Sequence, residues 1–303
     1  MPYRIDPAHP FDEEVRRVAT EQLRSAIASL EQQPRGLHEA VHDARKNFKR
    51  LRALYQLVLA DDAELFADEN ARLRDTARTL SLVRDATAMV ETVAYLEGHA
   101  LNEDEARACA HARGTLTARR DVIARQEIDL AEKAGGAVES CQEAIAAIAT
   151  LRFPNRQHKT ARLLAKGWKR ILQNARIALR ECHDNAHEEV FHDLRKASQT
   201  YWRALSLLRD IWPSAMRAKR AEARSLTEIL GHEHDLALLT DLLDSEPALA
   251  DGSETFSHLL GAIIRQQQQL RRDALEIADR VFADKPGREA AVIEALWIEA
   301  ALA

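Results

Sequence analysis

This 303-residue chain is poor in the residues that interrupt helices and in the cysteines that cross-link small folds. It has 10 glycines, 8 prolines and 3 cysteines. Cys109, Cys141 and Cys182 are widely separated, with no Cys-x-x-Cys pair, so we expect buried core cysteines in a reducing compartment and no disulfide framework. Aromatic residues make up only 5% of the chain, so the core must be mostly aliphatic.

Two further absences limit where the protein works and what it binds. No apolar run approaches the roughly 20 residues that span a bilayer, and residues 1–10 lack the basic and apolar stretches of a signal peptide. We therefore expect a soluble cytoplasmic protein. The net charge of −5 lacks the bulk basicity of duplex-binding proteins, so any anion site must be a local concentration of positive charge.

The residues that are abundant, Ala, Leu, Arg and Glu, favour helices throughout. Helical periodicity predicts helices over 11–33, 37–60, 63–97, 103–133, 137–150, 157–183, 187–210, 213–246, 253–283 and 287–301. The predicted breaks fall at Pro34-Arg35-Gly36, Gly98, Gly135-Gly136, Phe153-Pro154-Asn155, Pro213, Pro247 and Pro286-Gly287. Short loops make neighbouring helices antiparallel, so each half of the chain is predicted to be a four-helix bundle with an extra short helix.

The two halves share a motif, His-x-x-Arg-Lys, at an offset of 150 residues. Other residues recur at the same offset, among them Asp85 with Asp235, and Arg84 stands where the second half has His234. The motif residues are His42, Arg45 and Lys46 in the first half and His192, Arg195 and Lys196 in the second. A repeat this long predicts duplication of a whole helical unit, with domains at 1–150 and 151–303.

On a helical wheel of the first motif helix, the apolar residues gather on one face and the cations on the other. The cations are His42, Arg45, Lys46, Lys49, Arg50 and Arg52. Ordinary solvated faces mix charge signs at i,i+4 spacing, and this one does not. The second motif helix has Gln199, Thr200 and Trp202 in place of the last three cations, so we expect an asymmetric anion site. Lys166, Lys169 and Arg170, on the preceding helix, are further candidates, although a solvated face explains them equally well.

The two motif helices, together with the downstream Leu-x-x-x-(Arg/His)-Asp segments, resemble the conserved-histidine α-helical domain (CHAD) family. The resemblance implies an all-α fold of two four-helix bundles related by a pseudo-twofold axis, facing each other across a basic cavity. It also implies binding of inorganic polyphosphate and association with polyphosphate granules. We therefore expect a binding protein without catalytic activity, cofactor or metal. The resemblance assigns polyphosphate binding to the six cations of the first motif helix and to His192, Arg195 and Lys196. It extends less directly to Lys166, Lys169 and Arg170. No Glu-x-Glu-x-Lys strand of the CYTH domain found in many relatives is present, so we expect the helical module alone.

Two departures from the family pattern concern the second half. Gln199 stands where a basic residue is usual, and Trp168 stands where Tyr is common. Weaker affinity, or a ligand path that depends mainly on the first half, would follow from these departures. Oligomeric state and chain-length preference stay open.

Two other functions remain as alternatives. Four His-Asp dipeptides could ligate metal in a helical phosphohydrolase, but the cations beside His42 and His192 oppose a bound metal ion. The second alternative is a scaffold that binds nucleic acid or another polyanion. Bases are usually held by aromatic platforms, however, and Tyr55, Tyr201 and Trp202 are expected to be packing residues, so we do not expect nucleic acid as the ligand.

Overall fold

A computed structural model describes residues 3–80, 82–250 and 253–302. These residues form eleven α-helices and one 3-10 helix, Pro247–Ala250, and none of them lies in a β-strand. The α-helices are α1 (Phe11–Gln32), α2 (Leu37–Val58), α3 (Ala63–Thr79), α4 (Leu82–Glu97), α5 (Glu103–Gln126), α6 (Leu130–Thr150), α7 (Gln157–Asp184), α8 (Glu188–Leu207), α9 (Pro213–Ser245), α10 (Ser253–Val281) and α11 (Pro286–Ala300). The all-α prediction is confirmed.

Several helix ends lie where the sequence predicts them. Pro213 and Pro286 are the first residues of α9 and α11, the position at which the fixed φ of proline suits a helix and its missing N–H is not needed. Asn102 caps α5, its side-chain oxygen accepting from the backbone N–H of Glu105 at 2.9 Å.

The predicted break at Gly135-Gly136 is wrong. Both glycines lie inside α6, and the chain leaves the helix earlier, at residues 127–129. A glycine within a helix costs about 1 kcal/mol relative to alanine. Packing of α6 against α1 through Ala134, Ala137 and Cys141, all buried, offsets that cost.

The single helix predicted over 63–97 is also wrong, since the structure has α3 and α4 there with a break after Thr79. The two pieces pack in different places. Helix α3 lies against α2 and α6, whereas α4 lies against α5 and α9. The corresponding segment of the second half, α9, is continuous from Pro213 to Ser245.

The hydrophobic core has two parts, and each contains residues from both halves of the chain. The larger part is built mainly from α1, α2, α6, α7, α8 and α11. The smaller part joins α4 and α5 to α9 and α10, with Val93, Cys109, Leu239 and Ile263 fully buried among them. The domain boundary at residue 150, the duplication and the pseudo-twofold axis therefore stay predictions.

The predicted core face of α2 is confirmed, since Phe48, Leu51 and Leu54 are at most 1% exposed. The three cysteines are buried, as expected. In the part of the chain that the structure describes, no helix is long and apolar enough to cross a membrane.

A close crossing of α2 and α7 connects the two halves beside the candidate site. A Cβ atom at Gly167 would lie 1.9 Å from the carbonyl oxygen of Leu57, so only glycine allows this approach. Next to it, Lys166 forms an ion pair with Asp61. Helix α8 also packs against α2, so two helices of the second half, α7 and α8, contact α2.

Candidate anion-binding site

A cavity of about 640 Å³ lies where α2, α7 and α8 meet. Most of its charged groups are cations, and they come from α2 and α8. These basic lining residues are Lys49, Arg52, His192, Arg195, Lys196 and Arg203. The acidic residues in its described lining are Glu181 and Asp193, and Asp193 already pairs with Lys196 at 2.5 Å. The cavity therefore carries an excess of positive charge within a protein whose net charge is negative.

The third wall of the cavity, from α7, is mainly apolar and amide-bearing. It presents Ile171, Ile177 and Asn174 to the cations opposite. A smaller cavity of about 90 Å³ continues past Ile171 and Asn174 and adds Arg170 and Phe66 to the path. The cationic surface thus has an elongated form.

The basic side chains that line the cavity lie close together, and the pKa values of Lys49 and Arg203 are lowered. Burial, followed by the charges of Arg195, Arg203 and Arg45, lowers the pKa of Lys49 to about 8. The Lys49 side chain is nevertheless exposed to solvent in the cavity, so protein atoms around its amino group desolvate it only in part. Burial also lowers the pKa of Arg203 to about 10, with Arg195 and Arg50 contributing.

The guanidinium of Arg195 has a donor that the described protein groups do not use. Nε of Arg195 is buried and has no hydrogen-bond partner among the described residues. Burial lowers the pKa of Arg195, opposed by the carboxylates of Asp235 and Glu233. Because an unsatisfied buried donor costs about 1–3 kcal/mol, this group favours an acceptor supplied by a ligand or by water.

The six cations predicted on one side of α2 do not share one environment in the structure. Of the six, Lys49 and Arg52 line the cavity. Arg52 donates from Nε to Oδ1 of Asn70 at 2.7 Å. The guanidinium of Arg50 instead lies 5.7 Å from the ring centroid of Tyr3, and Nη1 is 3.4 Å from the side-chain oxygens of Gln22 and Asn47.

The other three predicted cations of α2 lie outside the described linings of both cavities. Arg45 forms an ion pair with Asp85 at 3.5 Å. Lys46 and His42 are exposed nearer the start of α2. Although the His42 side chain is exposed, nearby protein atoms partly desolvate its ring, and this effect, followed by the charge of Arg84, lowers its pKa. The wheel places all six cations on one side of α2 but cannot show that α8 covers only part of it.

The cations predicted on α7 are distributed in the same uneven way. Arg170 lines the smaller cavity, while Lys166 is engaged with Asp61. Lys169 is exposed and lies outside both described linings. The three predicted residues on α8, His192, Arg195 and Lys196, all line the main cavity.

Sequence reasoning missed Arg203, which lies in the same cavity. Its Nη1 donates to the backbone oxygen of Gln199 at 3.0 Å. The spacing does predict its position, because Arg203 follows Gln199 by four residues and Lys196 by seven, which puts all three on one helical face. The motif comparison stopped at Trp202 because the first half has Ala53 at the position equivalent to Arg203.

His192 and His234 form a contact that the motif spacing did not predict. Their Nδ1 atoms are 3.3 Å apart, and the ring centroids are 4.5 Å apart at an interplanar angle of 38°. No group of three or more His, Cys, Asp or Glu among the described residues is placed to hold a metal ion. The arrangement is thus a basic, elongated cavity with a pair of imidazoles at its edge.

The protein is thus all-α over its described residues, with basic side chains concentrated in one cavity. The family model "CHAD domain" matches residues 17–244, which is more than half of the chain. The chain belongs to the CHAD-domain family, which is known for polyphosphate binding. No curated protein matches the chain significantly.

Proposed function

We propose that this protein binds inorganic polyphosphate in the cavity between α2, α7 and α8, without catalysing a reaction. The observation that carries the proposal is the excess of cations in one cavity. Lys49 and Arg203 have lowered pKa values because burial and neighbouring cations disfavour their charged forms. A polyanion would relieve this repulsion, since opposite charge within a few ångströms favours the charged form.

The elongated form of the site suits a linear chain of phosphates. Lysine supplies a point charge and arginine a bidentate fork, and neither demands a particular sequence or shape of ligand. Five lysine and arginine side chains line the main cavity, and Arg170 extends the path. We place the phosphate chain against α2 and α8, with the mainly apolar and amide-bearing wall of α7 opposite.

Nucleic acid suits this cavity less well than polyphosphate. Single-stranded nucleic acid is usually held by bases stacked on aromatic rings. The lining of the main cavity, within the described residues, contains no Phe, Tyr or Trp. Tyr55 and Tyr201 are each 1% exposed and belong to the core.

Hydrolysis at a metal centre would require a ligand set that the His-Asp dipeptides do not build. His183 contacts Asp279 on the surface, 2.9 Å from Nε2 to Oδ1. His192 and His234 are surrounded by Arg195, Lys196 and Lys49, which oppose a further cation. We therefore propose a binding role, with recruitment to polyphosphate granules in the cytoplasm as its cellular consequence.

Charge reversal inside and outside the cavity tests the proposal. The double variant Lys49→Glu, Arg195→Glu should lose binding to long-chain polyphosphate, measured by calorimetry at low salt. The matched control is Arg24→Glu, Lys285→Glu, since both residues are exposed and outside the described cavity linings. Circular dichroism checks that both variants keep their helices. Equal affinity of the two double variants would place the site elsewhere.

A further inference from the structure

The two imidazoles at the edge of the cavity differ in their access to a ligand. His192, on α8, lines the cavity, and its Nδ1 faces Nδ1 of His234 on α9. At 3.3 Å this contact is at the long end of the hydrogen-bond range. Because Nδ1 of His192 is directed to His234, its Nε2 is the nitrogen left to contact a ligand.

Charged groups of both signs from four helices lie around this pair. They are Asp193, Arg195 and Lys196 from α8, His232, Glu233 and Asp235 from α9, Lys49 from α2 and Arg84 from α4. Glu233 is already bonded to Arg271, Nε to Oε1 at 2.8 Å. Burial, followed by Lys196 and Arg195, lowers the pKa of His192. Burial and the same neighbours, with Lys49, lower that of His234 to about 3.

The first half of the chain lacks an equivalent pair. At the offset of 150 residues, His42 corresponds to His192, but Arg84 stands in place of His234. Arg84 donates to both carboxylate oxygens of Glu91, at 3.0 and 2.8 Å. A guanidinium has no acceptor atom. It cannot accept a hydrogen bond from a neighbouring imidazole, so only the second half can stabilise a protonated motif histidine in this way.

We propose that His192 takes up one proton from solvent when polyphosphate binds, with neutral His234 accepting its Nδ1–H, so that the chain binds more tightly as the pH falls. The inference rests on the proposed function and adds a regulation to it. The proton adds to a ring nitrogen of His192, and no other bond forms or breaks. His234 acts as a positioning residue.

Proton uptake is expected because bound polyphosphate reverses the sign of the electric field at His192. In the free protein, Arg195, Lys196 and Lys49 oppose a further positive charge on the pair. Bound phosphates neutralise those cations and add negative charge, which favours the imidazolium form. The imidazolium then donates Nε2–H to a phosphate oxygen and Nδ1–H to His234. A second proton is disfavoured, because two imidazolium rings in contact repel each other.

The test measures proton uptake by the full-length protein during titration with long-chain polyphosphate. Calorimetry in buffers of different ionisation enthalpy, at about pH 6 and constant ionic strength, should give an uptake approaching one proton per site. By linkage, the affinity should then rise by up to about tenfold for each unit that the pH falls between about pH 7 and pH 5.5.

Variants separate titration from packing. His192→Gln keeps a donor that cannot titrate, so binding should lose its proton uptake and most of its pH dependence. His234→Leu should reduce uptake by removing the acceptor, and His234→Gln should restore part of it through its amide oxygen. His42→Gln should leave the uptake unchanged. His158→Gln, an exposed position on α7, is the control for affinity.

Two outcomes would count against the inference in different ways. Equal uptake by the wild type and His192→Gln, or binding with no proton uptake, would overturn the proton-coupled role while leaving the proposed function in place. Absence of binding at every pH and at low salt would overturn the proposed function, and the inference with it.

Discussion

Replacing Lys49 with methionine should stabilise the free protein and weaken its binding of polyphosphate. The two effects have one cause. The amino group of Lys49 is enclosed with Arg195, Arg203 and Arg45, and its pKa is lowered from 10.5 to about 8. Charging this group therefore costs free energy in the folded protein and costs none when the chain is unfolded. Methionine keeps much of the side-chain volume and removes the charge.

The magnitude follows from the pKa difference. A shift from 10.5 to about 8 corresponds to about 3 kcal/mol at most. Because the side chain is exposed to solvent within the cavity, screening reduces this to about 1 kcal/mol. The sign is fixed by linkage. The folded form binds fewer protons than the unfolded form between about pH 8 and pH 10.5, so the free energy of unfolding of the wild type should rise with pH through this window.

Urea denaturation at pH 7 and at about pH 10 measures this difference. Lys49→Met should be more stable than the wild type at pH 7, and the difference should shrink at the higher pH. Lys285→Met, an exposed lysine outside the described cavity linings, should show neither effect. At the same time Lys49→Met should lose about tenfold or more in affinity for polyphosphate, since hydrogen bonds to charged groups contribute about 1.5–3 kcal/mol. A destabilised variant with unchanged affinity would refute the reasoning.

Two further predictions concern the helix crossing and the residue that the motif did not reveal. Gly167→Ala should destabilise the protein by at least about 2 kcal/mol in urea denaturation, because the new Cβ would meet the carbonyl oxygen of Leu57 at 1.9 Å. Gly231→Ala, inside α9 with no atom within 4 Å of its added Cβ, should instead stabilise it by about 0.5–1 kcal/mol; equal destabilisation by both would contradict the crossing. Arg203→Gln should weaken polyphosphate binding and reduce its salt dependence, measured as the slope of log K against log salt, by about 0.7. An unchanged slope would exclude Arg203 from the site.

The helices of this protein could be predicted from the sequence because strong helix formers are abundant and prolines and glycines are few. Pro213 and Pro286 mark helix starts correctly. Gly135 and Gly136 do not end a helix, because tertiary packing of α6 against α1 outweighs the local cost of glycine. The division of the 63–97 segment into α3 and α4 could not be predicted either, since the two pieces pack against different helices, α3 against α2 and α6 and α4 against α5 and α9.

The candidate site could be predicted in part. The repeated motif identified Arg195 and Lys196, and the wheel identified Lys49 and Arg52, all of which line the cavity. The wheel could not separate these from Arg50, whose guanidinium lies against Tyr3, because that distinction depends on the path of the N-terminal segment. The contact between His192 and His234 joins two helices whose relative placement no local pattern determines.

The measurement that tests the central claim most directly is a titration of the protein with long-chain polyphosphate over a range of salt concentrations, with phosphate release assayed in the same samples. Five lysine and arginine side chains line the main cavity, so log K should fall with log salt with a slope of about −3.5. Polyphosphate should outcompete single-stranded DNA at equal salt, and no phosphate should be released. A slope near zero, equal affinity for DNA or steady release of phosphate would contradict the account.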